Sequence, residues 1–204
     1  MPRWRCVTVA GFRRTVLLEV ATELFSRQGF HAVGIDDIGA AAGVTGPAVY
    51  RHFQNKDAIL RELCNTAMTE LLTGARRAAG TGGPENVLHA LIAVHAGFGS
   101  RHRRLVAVYV REHRALSPIA LRALRRRQRE YEIIWTETLV LVRTDLGATQ
   151  ARGLVTAVLS LLNAAAHMPA ELDDATVERL LSSGAAAVLL TRPADAADLG
   201  SATG

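Results

Sequence analysis

Between Arg14 and Gln28 the apolar residues Val16, Leu17, Val20, Ala21, Leu24 and Phe25 recur every three or four positions, the spacing of one helix face. Gly29 follows, and glycine is the common residue just past a helix end. A short helix is predicted from about Asp36 to Ala42, closed by Gly43, and "VT" makes a tight turn. Another short helix runs to about Phe53, with Pro47 in the first turn, where no intrahelical amide partner is lost. Asn55 is a good N-cap for a fourth helix, whose apolar stripe is Ile59, Leu60, Leu63, Ala67, Leu71 and Leu72. That helix ends at "GTGGP", Gly80 to Pro84.

Beyond this break the pattern stays helical, with spans of about 85–99, 102–115, 118–145, 148–167 and 174–191. In the third of these, Leu124, Gln128, Tyr131, Trp135, Thr138 and Val142 form a buried seam. No strand pattern and no internal repeat occur. The prediction is an all-α chain of about nine helices. A three-helix helix-turn-helix head, residues 11–71, precedes a larger helical ligand-binding and dimerisation domain, 72–192, and 193–204 read as a disordered tail. The boundary is placed inside the fourth helix. The apolar, small-residue segments "ARGLVTAVLSLLNAAA" and "VERLLSSGAAAVLL" exceed what one small domain needs to cover. A homodimer through the last two helices is expected.

Composition agrees with a packed helical core: of 204 residues, 49% are hydrophobic, 5% aromatic and 21% charged. The formal net charge of +5 suits a polyanionic partner. Cys6 and Cys64 have no CxxC or Cys/His spacing, so neither a metal site nor a cofactor is implied, and a reduced, cytoplasmic setting is expected. The longest apolar run, around Leu154 to Ala166, is too short to span a bilayer, so no membrane partner is expected. No nucleophile elbow and no paired carboxylates on one face argue for an enzyme.

The two short helices around Gly43–Thr45 make a helix-turn-helix, whose second helix enters the major groove. Its leading residues are Thr45, Gly46, Pro47 and Ala48. Val49 and Phe53 point inward, and Tyr50, Arg51 and His52 flank the groove. Lys56 in a first helical turn is electrostatically unfavourable for the isolated helix, and a DNA phosphate at that position would offset the cost. Phosphate contacts fix register, while base contacts carry sequence preference.

These residues also carry a resemblance. "GFHAVGIDDIGAAAGVTGPAVYRHFQNKDAIL", with the preceding "RRTVLLEVATELFSRQGF", resembles the DNA-binding domain of the TetR family of bacterial transcriptional regulators over roughly residues 11–71. The resemblance implies a homodimer on a palindromic operator, usually a repressor, released by a small molecule in the C-terminal domain. A ligand-dependent activator on the same scaffold is the alternative. Val33 and Gly34 stand where the family often has Thr and a second hydroxyl residue. Gly46, Pro47 and Ala48 stand where a basic residue, Gly and Thr are frequent. Base-edge hydrogen bonding should therefore rest on Thr45 and Arg51, with Ala48 and Pro47 touching thymine methyls.

In the second domain, Tyr109, His113, Trp135 and Asn163 are polar-tipped residues on apolar helices and are candidates to line an effector pocket. The arginine run Arg122 to Glu130 reads first as a solvated face. "YVREHRALSPIALRALRRRQREYEIIW" looks like TetR-family members linked to lipid catabolism, which makes an acyl-CoA-like effector, its phosphates held by arginine, a sharper reading. Arg3 and Arg5 of the N-terminal arm are candidates for a minor-groove contact.

Overall fold

The computed structural model describes residues 9–80 and 82–192, with side chains from Arg13 onward. Arg3, Arg5, Cys6 and residues 193–204 lie outside the described residues. Among the described residues there are nine α-helices and no strand. They are α1 Val9–Gln28, α2 Ile35–Ala41, α3 Gly46–Tyr50, α4 Lys56–Ala78, α5 Pro84–Arg101, α6 Arg103–Glu112, α7 Pro118–Val142, α8 Ala148–Asn163 and α9 Asp174–Leu190. Two 3-10 turns, His113–Ala115 and Ala164–His167, replace the last turns of two predicted helices. Tightening to 3-10 geometry is a common way to finish a helix.

The chain divides into two compact units. The first runs through Ala67 and adds Arg104–Leu124; the second is Met68–Arg103 and the chain from Arg125 onward. The division therefore falls inside α4, just after the first residue of α6, and inside α7.

In the first unit Leu17, Ala21 and Phe25 of the predicted α1 stripe are buried, while Val16, Val20 and Leu24 are half-buried. Val49 of α3 and Ile59, Leu60, Leu63 and Ala67 of the α4 stripe are buried, and Ile38 and Cys64 join this core. Phe25 and Phe30 meet edge to face with centroids 5.3 Å apart, a favoured aromatic geometry. Burial pushes the Cys64 thiol up to about 12. Helix α6 is held to α1 within this unit. Arg111 donates to the carbonyls of Phe25 and Ser26 at the end of α1, and Arg104 pairs with Glu23 at 2.7 Å. A cation over the last carbonyls of a helix also suits its dipole.

The second unit is built on α5, which packs against α8 and α9. From His95 to Ser100 every residue of α5 is buried. A Cβ at Gly99 would meet the Ala165 side chain at 3.0 Å, so this close approach needs glycine. Arg143, buried at the end of α7, donates to the carbonyls of Leu189 at 3.0 Å and Thr191 at 2.8 Å, closing the end of α9. Its other side grips Asp145, and that bond holds the Asp145 carboxyl down at about 2. No described helix is long and apolar enough to cross a membrane.

Candidate nucleic-acid interface

The α2–turn–α3 geometry follows from three glycines. At Gly43, φ is +68°, a backbone state that side chains disfavour. The amide of Gly43 donates to Ala40 at 3.1 Å and that of Val44 to Gly39 at 2.9 Å, the two bonds of a Schellman ending. Gly39 allows the two helices to touch, since a Cβ there would stand 3.0 Å from the Val44 carbonyl oxygen and 3.3 Å from the Gly46 nitrogen. At Gly46 an added Cβ would strike the Asp36 carboxylate unless that side chain moved.

This turn sets the direction of each candidate side chain. Val49 and Phe53 are buried, as their spacing predicts. Thr45 occupies the N-cap position of α3, yet its hydroxyl makes no cap bond and has no hydrogen-bond partner among the described residues. Pro47 and Arg51 are exposed, and Tyr50 is the most open aromatic described, at 56%. Ala48 and His52 are half-exposed. They line a groove of about 200 Å³ with Arg13, Val16, Leu17, Ala42, Val44 and Arg51. Val16, Leu17, Ala42, Val44 and Ala48 give it an apolar lining, and Arg13 and Arg51 bring positive charge to it.

Lys56 is placed differently from a phosphate-seeking cation. Its ammonium donates to the carbonyls of Phe30 at 2.8 Å, His31 at 3.3 Å and Val33 at 2.8 Å, and lies 4.6 Å from the Phe30 ring centroid. An ammonium has three donors, and all three are used. The cost of a cation in the first turn of α4 is offset by carbonyls of the α1–α2 connection. Asn55 behaves as predicted, accepting from the Ala58 amide at 2.8 Å.

Two arginines went unnoticed in the sequence. Arg13 reaches the groove rim. Arg14 pairs with Glu62, donates to the His52 carbonyl at 2.6 Å and lies 4.2 Å from the Phe53 ring centroid. Arg14 thus holds the end of the helix-turn-helix against α1. The available signal was the "RR" pair one turn ahead of buried Leu17.

The four effector candidates separate into two pairs. In the first unit Tyr109 and His113 stack at 5.8 Å, and His113 Nδ1 donates to the Tyr109 carbonyl. In the second unit Trp135 and Asn163 meet around His95. The His95 Nδ1 lies 3.1 Å from the Tyr131 hydroxyl, and its Nε2 lies 3.4 Å from Asn163 Oδ1. With Asn163 accepting, the ring proton sits on Nε2 and Nδ1 accepts from Tyr131. Burial drives the His95 pKa down to about 4, against a smaller upward push from Asn163. The rings of Tyr131 and Trp135 approach edge to face at 6.1 Å. Trp135 is wholly buried, and its Nε1–H has no acceptor among the described residues. Such an unpaired donor costs on the order of 1–3 kcal/mol. Arg122, Arg125, Arg126 and Arg129 are exposed, Arg127 reaches the Thr69 hydroxyl at 2.7 Å, and Glu130 pairs with Arg76. No group of side chains suited to holding a metal ion occurs among the described residues.

The described residues thus hold a helix-turn-helix closed by a Schellman ending, with Thr45, Tyr50 and Arg51 exposed. Comparison with known proteins agrees. Residues 17–63 match the family model "Bacterial regulatory proteins, tetR family", and residues 81–167 match "Tetracyclin repressor-like, C-terminal domain". The chain belongs to the TetR family of transcriptional regulators. It is 38% identical over 69 residues to the transcriptional activator FasR of Mycolicibacterium smegmatis, covering 34% of this chain and 32% of that protein. It is 30% identical over 98 residues to the transcriptional repressor KstR2 of Rhodococcus jostii, covering 48% of each. The matched stretches thus span a third to a half of these relatives. The fold is similar to that of AibR, solved in complex with isovaleryl coenzyme A and operator DNA. The TM-score is 0.74 at 19% identity, with 87% of this chain and 98% of that one covered.

Proposed function

We propose that the chain is a cytoplasmic, ligand-responsive repressor that binds a palindromic operator as a homodimer. The observation that carries this reading is the outward cluster Thr45, Tyr50, Arg51 and His52 on a turn fixed by Gly39 and Gly43. Arg51 and the Thr45 hydroxyl read base edges, and Gly46, Pro47 and Ala48 bring the helix end close enough for apolar contact. Tyr50, His52 and the groove-rim Arg13 bind backbone phosphate, the salt-dependent part of affinity. Lys56 acts from behind by fixing the α1–α2 connection. Two heads enter successive major grooves about 34–36 Å apart.

Residues 11–71 are the DNA-binding part and 72–192 the ligand-binding and dimerising part in this reading. Dimerisation uses α8 and α9, where Leu180 and Val188 expose 52% and 38% of their surface two turns apart. A small molecule, acyl-CoA-like as in the AibR complex, favours a state with lower DNA affinity, and its leverage is its differential affinity for the two states. Trp135 and Asn163, both in the second unit, line its seat. The similarity to the FasR activator favours a second reading, a ligand-dependent activator.

The test is anisotropy on the DNA beside the chain's own gene, against a scrambled duplex at equal salt. Tight binding to the native duplex alone supports the specific regulator. Equal affinity for both overturns it. A footprint overlapping the promoter marks a repressor, and one upstream of it an activator. Arg51→Ala is expected to lower the native-to-scrambled preference by about 10-fold or more, since a good base contact carries roughly 1–3 kcal/mol of discrimination.

A further inference from the structure

The second unit contains one buried donor that its own fold leaves unused. Around α5, His95, Tyr131 and Asn163 bond to one another rather than to this donor. His95 Nδ1 takes the Tyr131 proton, and Asn163 Oδ1 takes the proton on His95 Nε2. The remaining group is the Trp135 Nε1–H, in a side chain with no exposed surface. A phenylalanine would fill a core site without stranding an N–H. No acceptor among the described residues meets this donor, and a ligand seated here would supply one.

The charge of that acceptor also follows. The rings beside Trp135 are those of Tyr131 and His95, and burial keeps His95 uncharged at neutral pH. The buried Arg143 and the half-buried Arg103 of this unit are committed elsewhere: Arg143 to Asp145 and the end of α9, Arg103 to Asp174 and the carbonyls of Pro169 and Leu172. A carboxylate placed against Trp135 would be buried with no counter-charge, which is strongly unfavourable. A neutral oxygen is not penalised in this way. The surrounding core is aliphatic, with Leu91, Ile92, Leu139, Val158 and Leu162 buried in the same unit. Asn163 is half-exposed where α8 gives way to its 3-10 turn, so the polar cluster reaches solvent there.

We propose that the effector is a neutral carbonyl compound, a ketone, ester or thioester on an apolar body, whose oxygen accepts from Trp135 Nε1–H. This rests on the reading that the effector seat lies in the second unit. It narrows the acyl-CoA-like class to the thioester carbonyl as the recognised group and excludes the free acid.

The experiment titrates the full chain with 2-decanone, decanoate and decane, which share chain length and differ in the polar end. The chain holds two tryptophans, Trp4 and Trp135, so a 15N spectrum shows two indole N–H signals, and W4F assigns them. Saturable binding of 2-decanone is expected, at least tenfold tighter than decanoate or decane, with a downfield shift of the Trp135 indole proton. W135F should weaken 2-decanone about tenfold and leave decane unchanged, the size of one hydrogen bond. If W135F does not fold, the wild-type indole signal decides. No binding of 2-decanone, stronger binding of decanoate, or an unmoved indole signal overturns the proposal, the last meaning that Trp135 is served by water alone. Operator anisotropy on the same samples keeps the readings apart, since intact specific DNA binding beside failed 2-decanone binding sinks only the effector class.

Discussion

His95 and Lys56 are polar residues held by their neighbours, and each makes the molecule sensitive in a different way. His95 is neutral in the fold, with its pKa lowered from 6.5 to about 4. The unfolded chain takes up a proton below its ordinary value while the folded chain does not, so stability is full above about pH 6.5 and falls as pH drops towards 4. The loss across that window is roughly 3 kcal/mol, from the size of the shift. Melting curves at pH 7 and pH 4.5 should show a larger drop for the wild type than for His95→Phe. Lys56→Met removes three carbonyl partners at once, and a lower melting temperature and weaker operator binding are expected together. If Lys56 served only a phosphate, the melt would not move. This difference could not be read from the chain, because the carbonyls that Lys56 holds lie 23 to 26 positions away. The exposed positions Tyr50 and Arg51 were legible, since they depend only on helical period next to Val49 and Phe53.

Elements were legible wherever a local stop signal existed. Gly29, Gly43, Asn55 and Pro84 punctuate the chain near where the helices begin and end. The predicted third helix overran, because Tyr50 to Phe53 leaves the α-helix one turn before its apolar pattern ends. The predicted 102–115 and 148–167 overran for a related reason: 3-10 turns keep apolar spacing while changing the hydrogen-bond ladder. At this scale Gly39 is the vulnerable point of the head. Gly39→Val places atoms against the Val44 carbonyl and the Gly46 amide, both backbone. Circular dichroism should show retained helix content, while specific DNA binding falls by at least tenfold. Retained operator affinity would mean that α2 and α3 can separate without harm.

For the whole molecule, the sequence pointed to surplus apolar surface on the last two helices, and the structure places Leu180 and Val188 on the outside of α9. Leu180→Glu should convert a dimer to a monomer in light scattering and weaken operator binding, with the melting of the monomer otherwise retained. A wild-type monomer at micromolar concentration would refute the dimer. What the sequence hid at this scale is that Arg104–Leu124 groups with the N-terminal helices. Grouping of that kind depends on long-range pairs, such as Arg111 with Phe25 and Ser26, that leave no mark on local periodicity.

That grouping bears on inheritance as well as on folding. Because the chain passes between the units three times, twice in mid-helix, no single cut releases either one intact. A gene fragment ending after α4 would encode a head stripped of Arg104 and Arg111, and recombination at that point would hand a new partner an incomplete reader. Hybrid regulators made by exchanging heads should therefore work only when residues 104–124 travel with them. Sequence drift in the second unit is then free to proceed around this strip, but not through it.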